Sequence, residues 1–169
     1  LGLGTLVSLY SAEYMGADEG QEKFYSMLVM MTGVMIGLGC ATDIFNLWLW
    51  FEGMAISSYL LVAFYRTDPG SLEAGVKYLV QSAVGSAFVL LGIAVVLATT
   101  GTLNLAEIQA QYAADAALGP AMLAAGALFL IGFGVKVAMV PMHTWLPDAH
   151  AQAPSGISAM LSGVVIEAG

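Results

Sequence analysis

Few side chains in this sequence can do acid–base chemistry, and several of them lie where their neighbours are apolar. Glu52 stands in WLWFEGMAISS, Lys77 in GVKYLVQS, Lys136 in GFGVKVAMV and Glu167 in SGVVIEAG. His143, Asp148 and His150 follow Lys136 closely, in MHTWLPDAH. Acids and a base in apolar surroundings suit the holding and release of protons, because a charge withdrawn from water persists only beside a partner or a wet cavity. The structural alternative is a clamp in which Glu52 and Lys136 merely fix helix register. The two histidines lack a third ligand at metal spacing, so they are expected to cap or bridge helices, with Asp148 as a further accessory group and no metal.

Composition sets the environment of these groups. Hydrophobic residues make up 59% of the chain and charged residues 9%, with a mean hydropathy of +0.85, against about 25% charged in soluble domains. A soluble fold of 169 residues could not hide that much apolar surface, whereas a lipid bilayer can. The net charge of -8 comes mostly from segment junctions. The single Cys40 excludes a disulfide framework or a cysteine metal site. Neither a dinucleotide-binding glycine pattern nor a P-loop, an iron–sulfur cysteine set or a haem-attachment motif is present, so no cofactor is expected in this chain. Nucleic acid is not an expected partner. The chain opens and stops in apolar runs, which reads as a piece of a longer protein forming part of one transmembrane domain over 1–169.

The elements that must position these groups are membrane helices. Spans are expected at about 24–41, 43–65, 76–98 and 120–142, each near the ~20 apolar residues needed to cross, with partial spans before Glu13 and after Pro154. Asp43 is placed to cap the second span and Pro120 to open the fourth. RTDPGS reads as a turn, and 99–119 as a short interfacial helix. Gly134 and Pro141 flank Lys136 and should kink or break its helix. Lys23, Arg66 and Lys77 collect at one side, which places the 66–75 and 143–154 connections in the cytoplasm. Glu52 lies eight residues beyond Ile44, about 12 Å into a ~30 Å core. Lys136 and Glu167 fall at comparable depth, whereas Lys77 is shallow enough to snorkel. Trp48, Trp50 and Trp145 read as packing or interface anchors, and Gly33 and Gly37 as a weak helix-contact spacing.

Three blocks, WLWFEGMAISSYLLV (48–62), KYLVQSAVGSAFVLLGIAVV (77–96) and GFGVKVAMVPMHTWLPDAHAQAPSGISAMLSG (132–163), resemble a known family. It is that of the antiporter-like membrane subunits of respiratory complex I, the Mrp-type cation/proton antiporters and the membrane-bound hydrogenases. LVSLYSAEYM at the start of the chain agrees with it, and HTWLPDAH with LSGVV is nearest the middle-type or hydrogenase-type subunits.

The resemblance implies an all-α polytopic bundle covering about one five-helix inverted repeat, with a broken helix near Lys136. It implies proton translocation coupled to electron transfer elsewhere in an NADH:quinone oxidoreductase complex, with no redox centre in this chain. Its partners would be other membrane subunits, the lipid bilayer and protons, with Na⁺ as the alternative ion. Its location would be the cell membrane of a bacterium or archaeon, or an organelle inner membrane. The family's glutamate and lysine fall on Glu52 and Lys136, and a less uniform basic position on Lys77. The family's second lysine, in a motif like SGVxxKTG, is replaced by Glu167 in SGVVIEAG. The central relay would then run from a lysine to an acid. An Na⁺/H⁺ antiporter subunit, a hydrogenase subunit and a structural scaffold are the competing expectations.

Overall fold

The computed structural model describes residues 2–16, 20–115 and 118–168. Among these residues it is helical, with one isolated antiparallel bridge between Asp43 and Asn104. The helices are α1 (Gly2–Tyr14), α2 (Gln21–Gly39), α3 (Ile44–Val62), α4 (Pro69–Thr100), α5 (Leu105–Ala114), α6 (Gly119–Lys136), α7 (Trp145–Gln152) and α8 (Ser155–Met160). A π-helical turn over Leu161–Val165 continues α8.

Local sequence explains most boundaries. The Asp43 carboxylate accepts the Asn46 backbone N–H at 2.7 Å and starts α3. Asp68 accepts from Gly70 N–H at 3.1 Å, and Pro69 fills the first helical position of α4, where a missing N–H costs nothing. Gly101 closes α4 at φ 70, a conformation glycine adopts without penalty. Asn104 caps α5, and the Asp43–Asn104 bridge ties the connection before α5 to the start of α3.

α4 is the hub, packing against α3, α6 and α7. Its buried residues include Ala74, Gly75, Tyr78, Ser82, Gly85, Ser86, Val89 and Gly92, a three- and four-residue rhythm that makes one stripe. Small residues let the partners approach closely, as in membrane helix pairs. A Cβ on Gly132 of α6 would lie 2.6 Å from the Gly85 carbonyl oxygen of α4, and one on Gly75 would lie 2.6 Å from Ala63 Cβ. Gly37 faces the Trp50 ring, whereas Gly33 has open space. Only half of that expected contact spacing is therefore used.

The outward faces are apolar. Val76, Val80, Val84 and Leu91 on α4 and Leu123 and Leu130 on α6 are all more than half exposed, which suits lipid rather than water. By length and composition α4 and α6 can cross a membrane, a narrower result than the four spans expected. α2 and α3 have 19 residues each, about 28 Å of helix. α2 carries Glu22 and Lys23 in its first turn, and α3 interrupts its apolar run with Asn46, Glu52, Ser57 and Ser58. α4 begins at Pro69 and reaches Thr100, longer at both ends than 76–98, since the proline opens the helix instead of only breaking the chain.

The Gly85–Gly132 crossing sets how near α6 comes to α4. Gly132→Ala should lower stability by roughly 1–3 kcal/mol, the usual cost of overpacking against backbone, read as an earlier thermal unfolding of the detergent-solubilised protein. Gly33→Ala, at an open position inside α2, should raise that temperature slightly or leave it, because alanine favours a helix over glycine.

Candidate functional site

The site forms where α3, α4 and α6 meet. Lys136 Nζ lies 2.8 Å from Glu52 Oε1, with side-chain exposures of 6% and 25%. The same ammonium donates to Ser82 Oγ at 3.3 Å. Ser86, one helical turn further along α4, donates its hydroxyl to Glu52 Oε1, and the Trp48 indole N–H donates to Ser86 Oγ at 2.9 Å. The two serines and the tryptophan thus complete a linear network around one buried ion pair. A cavity of about 10 Å³ adjoins Lys136 between Phe51, Tyr78, Ser82, Trp145 and Val165, close to the room one water needs.

The helix carrying Lys136 stops there. The Ala138 N–H bonds the Val135 carbonyl at 3.2 Å and the Met139 N–H bonds the Gly134 carbonyl at 2.8 Å. These are the two reversed bonds of a Schellman helix end, whose turning residue is usually glycine. Here that residue is Ala138, at φ 52, a left-handed conformation costing a non-glycine residue about 1–2 kcal/mol. The expected break near Lys136 is therefore present, but its agent is this motif. Gly134 contributes by leaving space for the ends of Met142 and Met139 to fold back. The expected span to Met142 is corrected accordingly: α6 ends at Lys136 and the chain resumes helically at Trp145.

Trp145 holds the break closed. Its indole N–H donates to the Val135 carbonyl at 2.9 Å, its ring stacks on Tyr78 with centroids 4.0 Å apart, and it is 1% exposed. Trp48 and Trp145, expected as packing or interface anchors, are hydrogen-bonded parts of the site and of the helix break.

The other sequence candidates fall outside the pair. Lys77 does not simply snorkel: its ammonium bridges Glu73 of its own helix and Asp148 of α7, each at 2.7 Å. Both contacts are about half exposed, so they are worth little to stability. They do join α7 to α4, as does the Gln81 amide donating to the Thr144 hydroxyl. His150 bridges α8 through Ser158 Oγ at 2.6 Å and Ser162 Oγ at 3.3 Å. His143 Nδ1 and Gln81 Oε1 are buried without a hydrogen-bond partner among the described residues. Glu167 is exposed and makes no ion pair among the described residues. No group of three or more His, Cys, Asp or Glu side chains gathers among the described residues. A larger groove of about 930 Å³, lined by Lys23, Phe64 and Arg66, shares no residue with the pair.

Sequence reasoning placed Glu52 and Lys136 but missed Ser82 and Ser86. Their signal was available, since two serines four residues apart share one face of an apolar helix.

A helical bundle with apolar outward faces and a buried acid–base pair beside a broken helix defines a class, that of the antiporter-like membrane subunits. Residues 41–169 match the family described as NADH:quinone oxidoreductase/Mrp antiporter, TM, and the chain belongs to it. A curated relative, subunit N 2 of the NADH-quinone oxidoreductase of Symbiobacterium thermophilum, is 37% identical over 172 residues, covering 96% of this chain and 34% of the relative. That relative is of the N type, whereas HTWLPDAH with LSGVV resembled the middle-type or hydrogenase-type subunits.

Two solved structures share the fold. One is the membrane-bound sulfane sulfur reductase, an archaeal respiratory membrane complex, with a TM-score of 0.87 and 31% identity over 98% of this chain and 34% of that one. The other is respiratory complex I from Thermus thermophilus with bound aureothin, with a TM-score of 0.80 and 26% identity over 98% and 36%. The chain spans about a third of the length of these proteins.

The conformation of Ala138 can be tested directly. Ala138→Gly should stabilise the protein by up to ~1 kcal/mol, and Ala138→Val, β-branched at positive φ, should destabilise it by about 1–2 kcal/mol, both read as shifts in thermal unfolding.

Proposed function

We propose that this chain is part of a proton-translocating membrane subunit of an NADH:quinone oxidoreductase-type complex, and that Lys136 and Glu52 are its switchable proton-carrying pair. The carrying observation is an ammonium 2.8 Å from a carboxylate, deep among apolar helices and at the last residue of a helix that breaks. A purely structural clamp has no need of a break at that residue. A backbone break gives the lysine a way to move, and the ~10 Å³ cavity beside it gives a proton somewhere to go.

Each part has a task in this reading. With Glu52 at contact distance the ammonium has its counter-charge. Separating the two leaves a charge among apolar side chains without a partner, a state that burial makes costly and that drives the transfer onward. Ser82 keeps one N–H of Lys136 bonded while it moves. Glu167 serves as the acceptor beyond the pair, on the exposed side of the turn that follows Leu161–Val165. Lys77 and Asp148 hold α7 against α4, so that the break pivots about fixed ends, and His150 does the same toward α8.

Electron transfer occurs in other subunits of the complex, and this chain holds no redox cofactor of its own. Its surroundings are lipid and other membrane subunits, in the cell membrane of a bacterium or archaeon. The coupling ion is the proton; the family also includes Mrp antiporters, and Na⁺-dependent transport without quinone-linked activity would mark that reading instead.

Substitution of Lys136 by Ala in the full subunit should abolish NADH-driven acidification of inverted membrane vesicles while the complex still assembles. Normal acidification by that variant would contradict the proposal.

A further inference from the structure

The hydrogen bonds around Glu52 have a direction. An indole nitrogen has a proton and no lone pair to offer, so Trp48 can only donate. Its bond to Ser86 Oγ at 2.9 Å therefore makes that oxygen an acceptor. Ser86 has one hydroxyl proton, and the acceptor within its reach is Glu52 Oε1. Lys136 Nζ, also a donor only, approaches the same oxygen at 2.8 Å. The chain thus runs from Trp48 to Ser86 to Glu52 on one side and from Lys136 to Glu52 on the other, with both branches ending on one carboxylate oxygen. Ser86 is 5% exposed, so bulk water does not compete for its hydroxyl.

We propose that Trp48 is a positioning residue for the proton relay: through Ser86 it locks Glu52 as a charged acceptor facing Lys136, and it closes this end of the network to proton transfer. A proton on Glu52 cannot pass onward through Ser86 to Trp48, because the indole N–H has nowhere to accept it. Protons reach or leave Glu52 by way of Lys136 or the free Oε2. This deepens the translocation reading and rests on it.

From α6 the charged neighbour is Lys136, and from its own helix Tyr59 feels its charge. α4 presents the hydroxyls of Ser82 and Ser86, with Tyr78 a turn away, while the charged residues of α2, Glu22 and Lys23, sit in its first turn at the other end of the packing. A change at Glu52 on removing the Trp48 N–H would accordingly come through Ser86.

The test uses the full subunit in its complex, in inverted vesicles driven by NADH, with the acidification rate and the infrared carboxylate band of Glu52, assigned by its loss in Glu52→Gln, both recorded. Trp48→Phe keeps a ring and removes the N–H, and Ser86→Ala removes the hydroxyl. Each should lower the rate several-fold and shift the band, because the carboxylate loses its donor or the support of that donor, and Ser86→Thr, which keeps a hydroxyl, should restore both. The double variant should go no further than Ser86→Ala alone, since both act through one bond. A wild-type rate and band for Trp48→Phe, or effects that add in the double variant, would overturn the inference.

If Trp48→Phe does not assemble, benzothienylalanine at position 48, which replaces the N–H by sulfur at nearly constant volume, reads the same loss, and a wild-type rate and band there are equally fatal. Acidification by Lys136→Ala separates the two levels. Its loss together with a wild-type rate and band for Trp48→Phe removes this inference alone, whereas its persistence removes the translocation reading beneath it.

Discussion

A lysine ammonium with 6% of its side chain exposed is the constraint around which this bundle is arranged. Left alone, such a charge would cost several kcal/mol. Glu52 offsets most of that cost, and the remainder of the network answers what is left. Ser82 takes a second proton of the ammonium and Ser86 supports the carboxylate, while Trp48 fixes Ser86. The geometry allows this only because α4 runs close to both of its neighbours. Gly85 against Gly132 brings the end of α6 within reach of Ser82, and Gly75 against Ala63 brings α3 close enough for Ser86 to reach Glu52.

The break in the chain after Lys136 completes the arrangement. A helix continuing through this point would hold the lysine as rigidly as any core residue. The reversed bonds at Val135 and Gly134 end the helix, and Ala138 turns the backbone with a side chain that disfavours the turn. Trp145 then fastens the last carbonyls from the far side of the break, stacked on Tyr78 of α4. α7, held to α4 by Asp148 and Thr144 and to α8 by His150, completes a segment anchored at both ends with its turn in between.

Much of this was legible in the residues. Apolar runs gave the helices, Asp43 and Pro120 gave their starts, and the two ionisable groups in the middle of those runs gave the pair. A membrane tolerates so few charges that their positions carry most of the message. What stayed hidden depended on the third dimension. Trp48 and Trp145 look like ordinary anchors until the partner of each N–H is known, and the four-residue spacing of Ser82 and Ser86 marks a shared face without naming what that face meets. The Schellman end at an alanine runs against local preference, so the sequence pointed to Gly134 and Pro141 instead. Glu167 lies past the π-helical turn and is exposed among the described residues.

Whether the charge pair carries protons or merely clamps two helices is decided most directly by replacing both partners at once with apolar residues of similar size, Glu52→Leu with Lys136→Met. A clamp can be replaced by well-packed apolar side chains with little loss, since burying the two charges cost as much as their attraction returned. A relay cannot. NADH-driven acidification of inverted vesicles holding the assembled double variant should be lost. Acidification at the wild-type rate would contradict the account.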